Sequence, residues 1–213
     1  MGCRPCSSRV PNMKRNHMDY VYMDFEFIPW ILGRDSRNNV DRGILSVGIV
    51  TKHAAYYAIN AEMDWQTAFV TGRTARWMTE NVFRHYPGTH PRLDHGHEDV
   101  KPYAQIGAEV DAFFKAACPT GSDKKDIEVV VNCGAQDMIR MHTLVCDNDW
   151  SDINPWIPQS QDDIGRITRK ANRLGLKKEE LPVQLPETLH HGLYDAEYER
   201  EVHTYIRSRL GDI

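Results

Sequence analysis

Asp24 and Glu26 stand two residues apart inside Tyr20-Val21-Tyr22-Met23-Asp24-Phe25-Glu26-Phe27, a run rich in aromatic and β-branched residues that reads as a buried strand. Successive side chains of a strand point to opposite faces, so the two carboxylates share one face. Side by side among Val, Met and Phe they repel each other and lose their hydration. Two readings are open: an exposed strand face, or a site at which a cation offsets the repulsion.

The pattern around this strand is that of a layered α/β fold. Residues 44–51 and 54–60 read as two further strands joined by a tight turn, which makes an antiparallel meander of three. Helical spacing is expected over 65–80, although Thr71 and Gly72 weaken it, and over 103–117, where Ile106, Val110, Phe113 and Phe114 recur. Residues 127–131 (IEVVV) form a short buried strand, and a helix follows from about Gln136 to Val145. Residues 146–159 read as a connection, 162–174 as a basic helix and 187–209 as a C-terminal helix. Residues 84–102, with four histidines, read as a long loop. Strands first and helices interleaved later predict a mixed sheet with helices packed on it.

Composition narrows the function. The 213 residues suit one elaborated domain, expected over 18–213. Residues 1–17 are polar and basic, lack the apolar core of a secretory signal, and read as a disordered or vector-derived extension before Met18. No apolar run approaches a membrane span. The formal charge of −4 argues against a protein that coats nucleic acid through a basic surface, so any such contact needs a local patch or metal ions. Five cysteines form no zinc framework, and their odd number suits a reducing, cytoplasmic compartment. The histidines His85, His90, His95 and His97 match no zinc spacing either and read as solvated.

Two other acids join the first pair as candidates. Asp137 follows the fourth strand near a helix start, where an Asp also suits the helix dipole. Asp195 lies five residues after His190 at the entry to the last helix. Three aspartates, a glutamate and a histidine form a hard oxygen set that suits Mg²⁺ or Mn²⁺.

The stretches MDFEFI, ILSVGIVTKHAAYYAINAEMD, WMTENVFRHYP and LHHGLYDAEYE, spread over about residues 19–200, together resemble the DEDDh 3′–5′ exonuclease superfamily. Within it, the chain is most similar to the RNase AS-type exoribonucleases of bacteria and phages. The resemblance implies a ribonuclease H-like fold, a mixed sheet whose first three strands are antiparallel, with helices on both faces. It implies that Asp24, Glu26, Asp137 and Asp195 bind two Mg²⁺ ions, for which Mn²⁺ substitutes, and that His190 rather than His191 is the general base. It also implies a homodimer, in which Trp150 and Trp156 are candidate anchors, and a bacterial or phage setting. One departure is Cys133-Gly134-Ala135-Gln136, where the resemblance implies aromatic residues around the middle Asp.

The expected activity is metal-dependent 3′–5′ hydrolysis of single-stranded RNA to nucleoside 5′-monophosphates, with a preference for adenylate tails as a further implication. Single-stranded DNA is the alternative polymer. A nucleic-acid-binding module without catalysis is the alternative class. Phe27, Ile28 and Trp30 are expected to meet the terminal nucleotide, Phe27 having core packing as its alternative, and Arg34, Arg37 and Arg42 are candidates for holding the backbone. Met138 and Met141 read as core filler.

Overall fold

The computed structural model describes residues 19–28, 43–63, 72–89, 92–117, 127–132, 134–146, 153–158, 160–177, 180–181, 183 and 185–211. Strands β1 (Asp19–Phe27), β2 (Ile44–Val50) and β3 (Ala55–Asn60) form the expected antiparallel meander. β7 (Ile127–Val131) adds to β1 in parallel, and β8 (Gln161–Asp163) adds to β7 in parallel. On the far edge β6 (Val100–Lys101) runs parallel to β3, which gives the order β6-β3-β2-β1-β7-β8. A separate hairpin pairs β4 (Gly88–Thr89) with β5 (Arg92–Leu93).

The period-2 pattern of β1 sorts its side chains between two cores. Val21, Met23 and Phe25 join Val129 and Val131 of β7 under helices α2 (Tyr103–Ala117) and α3 (Ala135–Cys146). Tyr22 faces the other way, with Val50 and Val130, against α4 (Ile164–Arg173) and α5 (Gly192–Leu210). Asp24 and Glu26 belong to this second face by the same alternation. Helices therefore cover both faces, and the fold is the ribonuclease H-like mixed sheet that the sequence predicts. A third cluster, Ile28, Leu45 and Ile59 with Met78, Val82 and Phe83, closes the edge beneath α1 (Gly72–Asn81) and the short 3-10 turn Phe83–His85.

Two irregularities shape the sheet near the acids. Between Glu26 and Phe27 the register with β2 slips, from Glu26 opposite Ser46 to Phe27 opposite Ile44. The extra residue, Leu45, turns the end of β2 so that Leu45 packs in the edge cluster while Ile44 stays in the main core. The pairing of β1 with β7 covers Asp19 to Tyr22 and stops before the acids. β1 thus carries Asp24 and Glu26 past the end of its parallel neighbour.

Several boundaries differ from expectation. Residues 84–102 are not one loop: they hold part of the 3-10 turn and all of β4, β5 and β6, elements of two or three residues that leave no periodic trace. The basic helix starts at Ile164, because Gln161–Asp163 is an edge strand and the Asp163 carboxylate caps the helix by accepting from the Arg166 N–H at 2.7 Å. The last helix starts at Gly192 rather than 187, since His190 takes a left-handed backbone (φ 67°) that a helix cannot continue through. α1 is described from Gly72, and the expected turns before it lie outside the described residues. No described helix is long and apolar enough to cross a membrane.

Candidate metal centre

The acids meet where β1 outruns β7 and the start of α5 crosses the sheet. Asp24 sits opposite Gly48 of β2, and a Cβ on Gly48 would lie 2.2 Å from the Gly192 carbonyl carbon. Gly192 is equally confined, since a Cβ there would stand 3.0 Å from both the Asp24 carbonyl oxygen and the Gly48 nitrogen. Two glycines face to face let the first turn of α5 rest on the strand backbone. That contact brings His190 and Asp195 to the carboxylates of β1.

Three groups converge tightly. One ligand atom each from Glu26, His190 and Asp195 falls within 4.8 Å of the others, and His190 Nδ1 is 3.7 Å from Glu26 Oε1. The His190 N–H donates to Asp195 Oδ2 at 2.7 Å, and the Asp195 N–H donates to the His191 carbonyl at 3.0 Å. Asp195 therefore holds the strained backbone of the histidine beside it. Asp137, in the first turn of α3, reaches β1 from the other side, where its Oδ1 accepts the Phe25 N–H at 3.1 Å. It replaces the ladder partner that β7 no longer supplies. Asp24 and Asp137 are not part of the tight group of Glu26, His190 and Asp195, and the Asp24 Oδ2 is buried without a hydrogen-bond partner among the described residues.

The electrostatics are those of crowded anions. Burial pushes Asp24 well above the carboxylate range, and Glu26, Asp137, Glu199 and Asp195 push it further. Burial lifts Asp137 to about 7 against the lowering hydrogen bond from Phe25, and lifts Asp195 to about 6. His190 moves up instead, chiefly through its contact with Glu26.

The two neighbouring histidines differ in kind. His190 is 39% exposed at its side chain and faces Glu26. The His191 ring stacks on Tyr57 at 4.3 Å and packs against Tyr194 at 4.4 Å, and burial lowers it to about 4. The geometry thus places His190, the residue chosen from spacing, at the acids and His191 in an aromatic stack. His85 is no solvated loop residue, because its Nε2 lies 3.1 Å from the Leu189 carbonyl and its ring meets His191. His95 and His97 are exposed, as read, and His90 lies outside the described residues.

Phe27 packs against the main core, with the Arg140 guanidinium 4.6 Å above its ring. Ile28 is fully buried, and its N–H donates to the Gly43 carbonyl at 2.8 Å. Met138 and Met141 are core residues, as expected. Trp156 is engaged within the chain: its Nε1 donates to Asp111 Oδ1 at 3.0 Å and Lys115 lies over its ring. Trp30, Arg34, Arg37, Arg42, Cys133 and Trp150 lie outside the described residues.

Three residues at the centre escape a reading of the sequence alone. Arg140, one turn after Asp137 and 1% exposed, lowers the Asp137 carboxyl. Trp77 of α1, 44% exposed, meets His190 edge-on at 4.8 Å. Glu199, 3% exposed, follows Asp195 by one turn. The available signal for the arginine and the glutamate was helical spacing from an acid already suspected.

No protein-family model matches the chain, and no curated protein sequence matches it. Among solved structures it is similar to the X-ray structure of the RNase domain of the yeast Pop2 protein, at 13% identity, over 90% of this chain and 77% of that one, with a TM-score of 0.40. The donor set itself fits a hard divalent cation: Glu26, Asp137, Glu199 and Asp195 all act on Asp24 as like charges, and among the described residues one buried oxygen of Asp24 is unsatisfied.

Proposed function

We propose that this protein is a metal-dependent 3′–5′ exoribonuclease acting on single-stranded RNA and releasing nucleoside 5′-monophosphates, with Mg²⁺ as the natural ion and Mn²⁺ as a substitute. The observation that carries the reading is the meeting of Glu26, His190 and Asp195 within 4.8 Å, near Asp24, whose Oδ2 is buried without a hydrogen-bond partner among the described residues. Asp24, Glu26, Asp137 and Asp195 would hold the cations. Bound there, divalent ions lower the pKa of an attacking water and stabilise the departing 3′ oxygen.

The remaining work falls to the chain. His190 accepts the proton of the attacking water, and its exposed ring returns that proton to solvent. Glu26 orients the ring through Nδ1, and Asp195 fixes the backbone beneath it. Trp77, exposed beside His190, offers a surface on which the base of the terminal nucleotide stacks, a contact worth about 1–3 kcal/mol. The adenylate preference, the homodimer and the bacterial or phage setting belong to the same proposal through the resemblance.

The test uses matched 5′-labelled single-stranded RNA and DNA with Mg²⁺ or EDTA, and Asp195→Ala as control. A metal-dependent ladder that shortens from the 3′ end, absent from the control, is expected, with RNA the faster substrate. A faster DNA ladder replaces the polymer. No ladder on either, with folded protein and Mn²⁺ tried, leaves a binding module.

A further inference from the structure

α5 buries a stripe at Gly192, Ala196, Glu199, Val202, His203 and Ile206. This periodicity is that of a helix packed on a sheet, and its third position calls for an apolar side chain. The chain places a carboxylate there. Glu199 is 3% exposed, and its Oε2 is buried with no hydrogen-bond partner among the described residues. Its electrostatic surroundings are negative: it feels Asp137, Asp195 and Asp163, and Asp24 feels it in turn. Asp163 is already committed to capping α4.

A buried acid normally survives by pairing with a base or by donating as the neutral acid to an acceptor. Leaving one carboxyl oxygen buried and unsatisfied carries a penalty that a packed Leu would avoid. Spacing carries the argument further. Residues four apart on a helix lie on one face, so Glu199 stands directly behind Asp195. We infer that Glu199 is a fifth acid of the metal centre, a positioning residue whose charge strengthens the hold of Asp24, Asp137 and Asp195 on a divalent cation. This rests on the proposed function and adds a residue to it.

The test is calorimetric titration of the full chain with Mn²⁺ alone, without nucleic acid, alongside thermal melts in EDTA. Glu199→Gln keeps the shape and removes the charge. Glu199→Leu completes the apolar stripe. Both are expected to bind Mn²⁺ about tenfold more weakly, equivalent to about 1.4 kcal/mol. In EDTA both are expected to melt no lower than the wild type, which a merely structural glutamate would not allow. Glu201→Gln, on the exposed side of the same helix, should leave the affinity unchanged. Wild-type affinity in either folded variant overturns the assignment, and so does the loss of folding by both in EDTA, which would make Glu199 part of the scaffold. A wild-type chain that takes up no Mn²⁺ overturns the metal centre itself, and with it the fifth acid.

Discussion

A carboxyl group whose oxygen is sealed inside a sheet contributes nothing to packing, and Asp24 has four further acids acting on it. Its value must lie in what it holds. Losing a general base costs about 10²–10⁴ in rate. Losing an acid that holds the cations displaces both the nucleophile and the leaving-group clamp, so Asp24→Asn is expected to be no milder than His190→Ala. Single-turnover decay of a labelled RNA compares them, and near-wild-type decay for Asp24→Asn would remove Asp24 from the centre. The candidate acids that the sequence singles out are those that break a local rule: Asp24 and Glu26 interrupt an apolar strand, and Asp195 answers His190 at fixed spacing. Glu199 breaks a rule too, but within Glu197-Tyr198-Glu199-Arg200-Glu201 it looks like one more residue of a solvated face. Which turn of that helix meets the sheet is settled by tertiary packing. The same holds for Arg140, hidden among polar neighbours on α3, and for Trp77, whose role depends on a loop more than a hundred residues away.

At the scale of elements, the site depends on how closely α5 approaches β2. Gly48→Ala puts a methyl group 2.2 Å from the Gly192 carbonyl carbon, where backbone rather than a flexible side chain must yield. Gly107→Ala makes a comparable intrusion, 2.6 Å from the Leu144 carbonyl oxygen, but between α2 and α3. Overpacking of this kind costs typically about 1–3 kcal/mol. Both variants should therefore lose stability in urea titrations, while Gly48→Ala alone should also lose RNA hydrolysis by at least tenfold under conditions where both remain folded. Equal activities would show that the glycine pair does not position His190 and Asp195. The long elements here were legible because β1, β2 and β7 are runs rich in apolar, aromatic and β-branched residues, and α2 carries helical spacing. β4, β5, β6 and β8 are two or three residues long and have room for no period, and the start of α5 is fixed by one residue of positive φ that no composition signals.

Across the whole molecule the crowded acids should reverse the usual response of stability to pH. Burial holds Asp137 at about 7 and Asp195 at about 6, against about 4 for a carboxyl in an unfolded chain. Between those values the fold binds more protons than the unfolded chain, so the metal-free protein loses stability as pH rises, and that contribution is gone above the folded pKa. His191, lowered to about 4 by burial and by His85, works in the opposite sense, but only below its unfolded value of about 6.5. His190, raised by Glu26, adds to the loss at higher pH. From about pH 6.5 to 8 these shifts all act in one direction. Asp137 alone accounts for about 1 kcal/mol there, or about 2–4 °C in a domain of this size, and Asp24 and Glu199 extend the trend. Melts in EDTA should fall across that window, and Asp137→Asn should flatten the slope. If the proposed centre takes up Mg²⁺ on its deprotonated oxygens, the melting temperature in excess Mg²⁺ should hold or rise with pH. An EDTA curve that climbs from pH 6.5 to 8 would mean that the carboxylates do not crowd as described, and a curve that Mg²⁺ leaves unmoved would mean that they crowd for some purpose other than holding a cation.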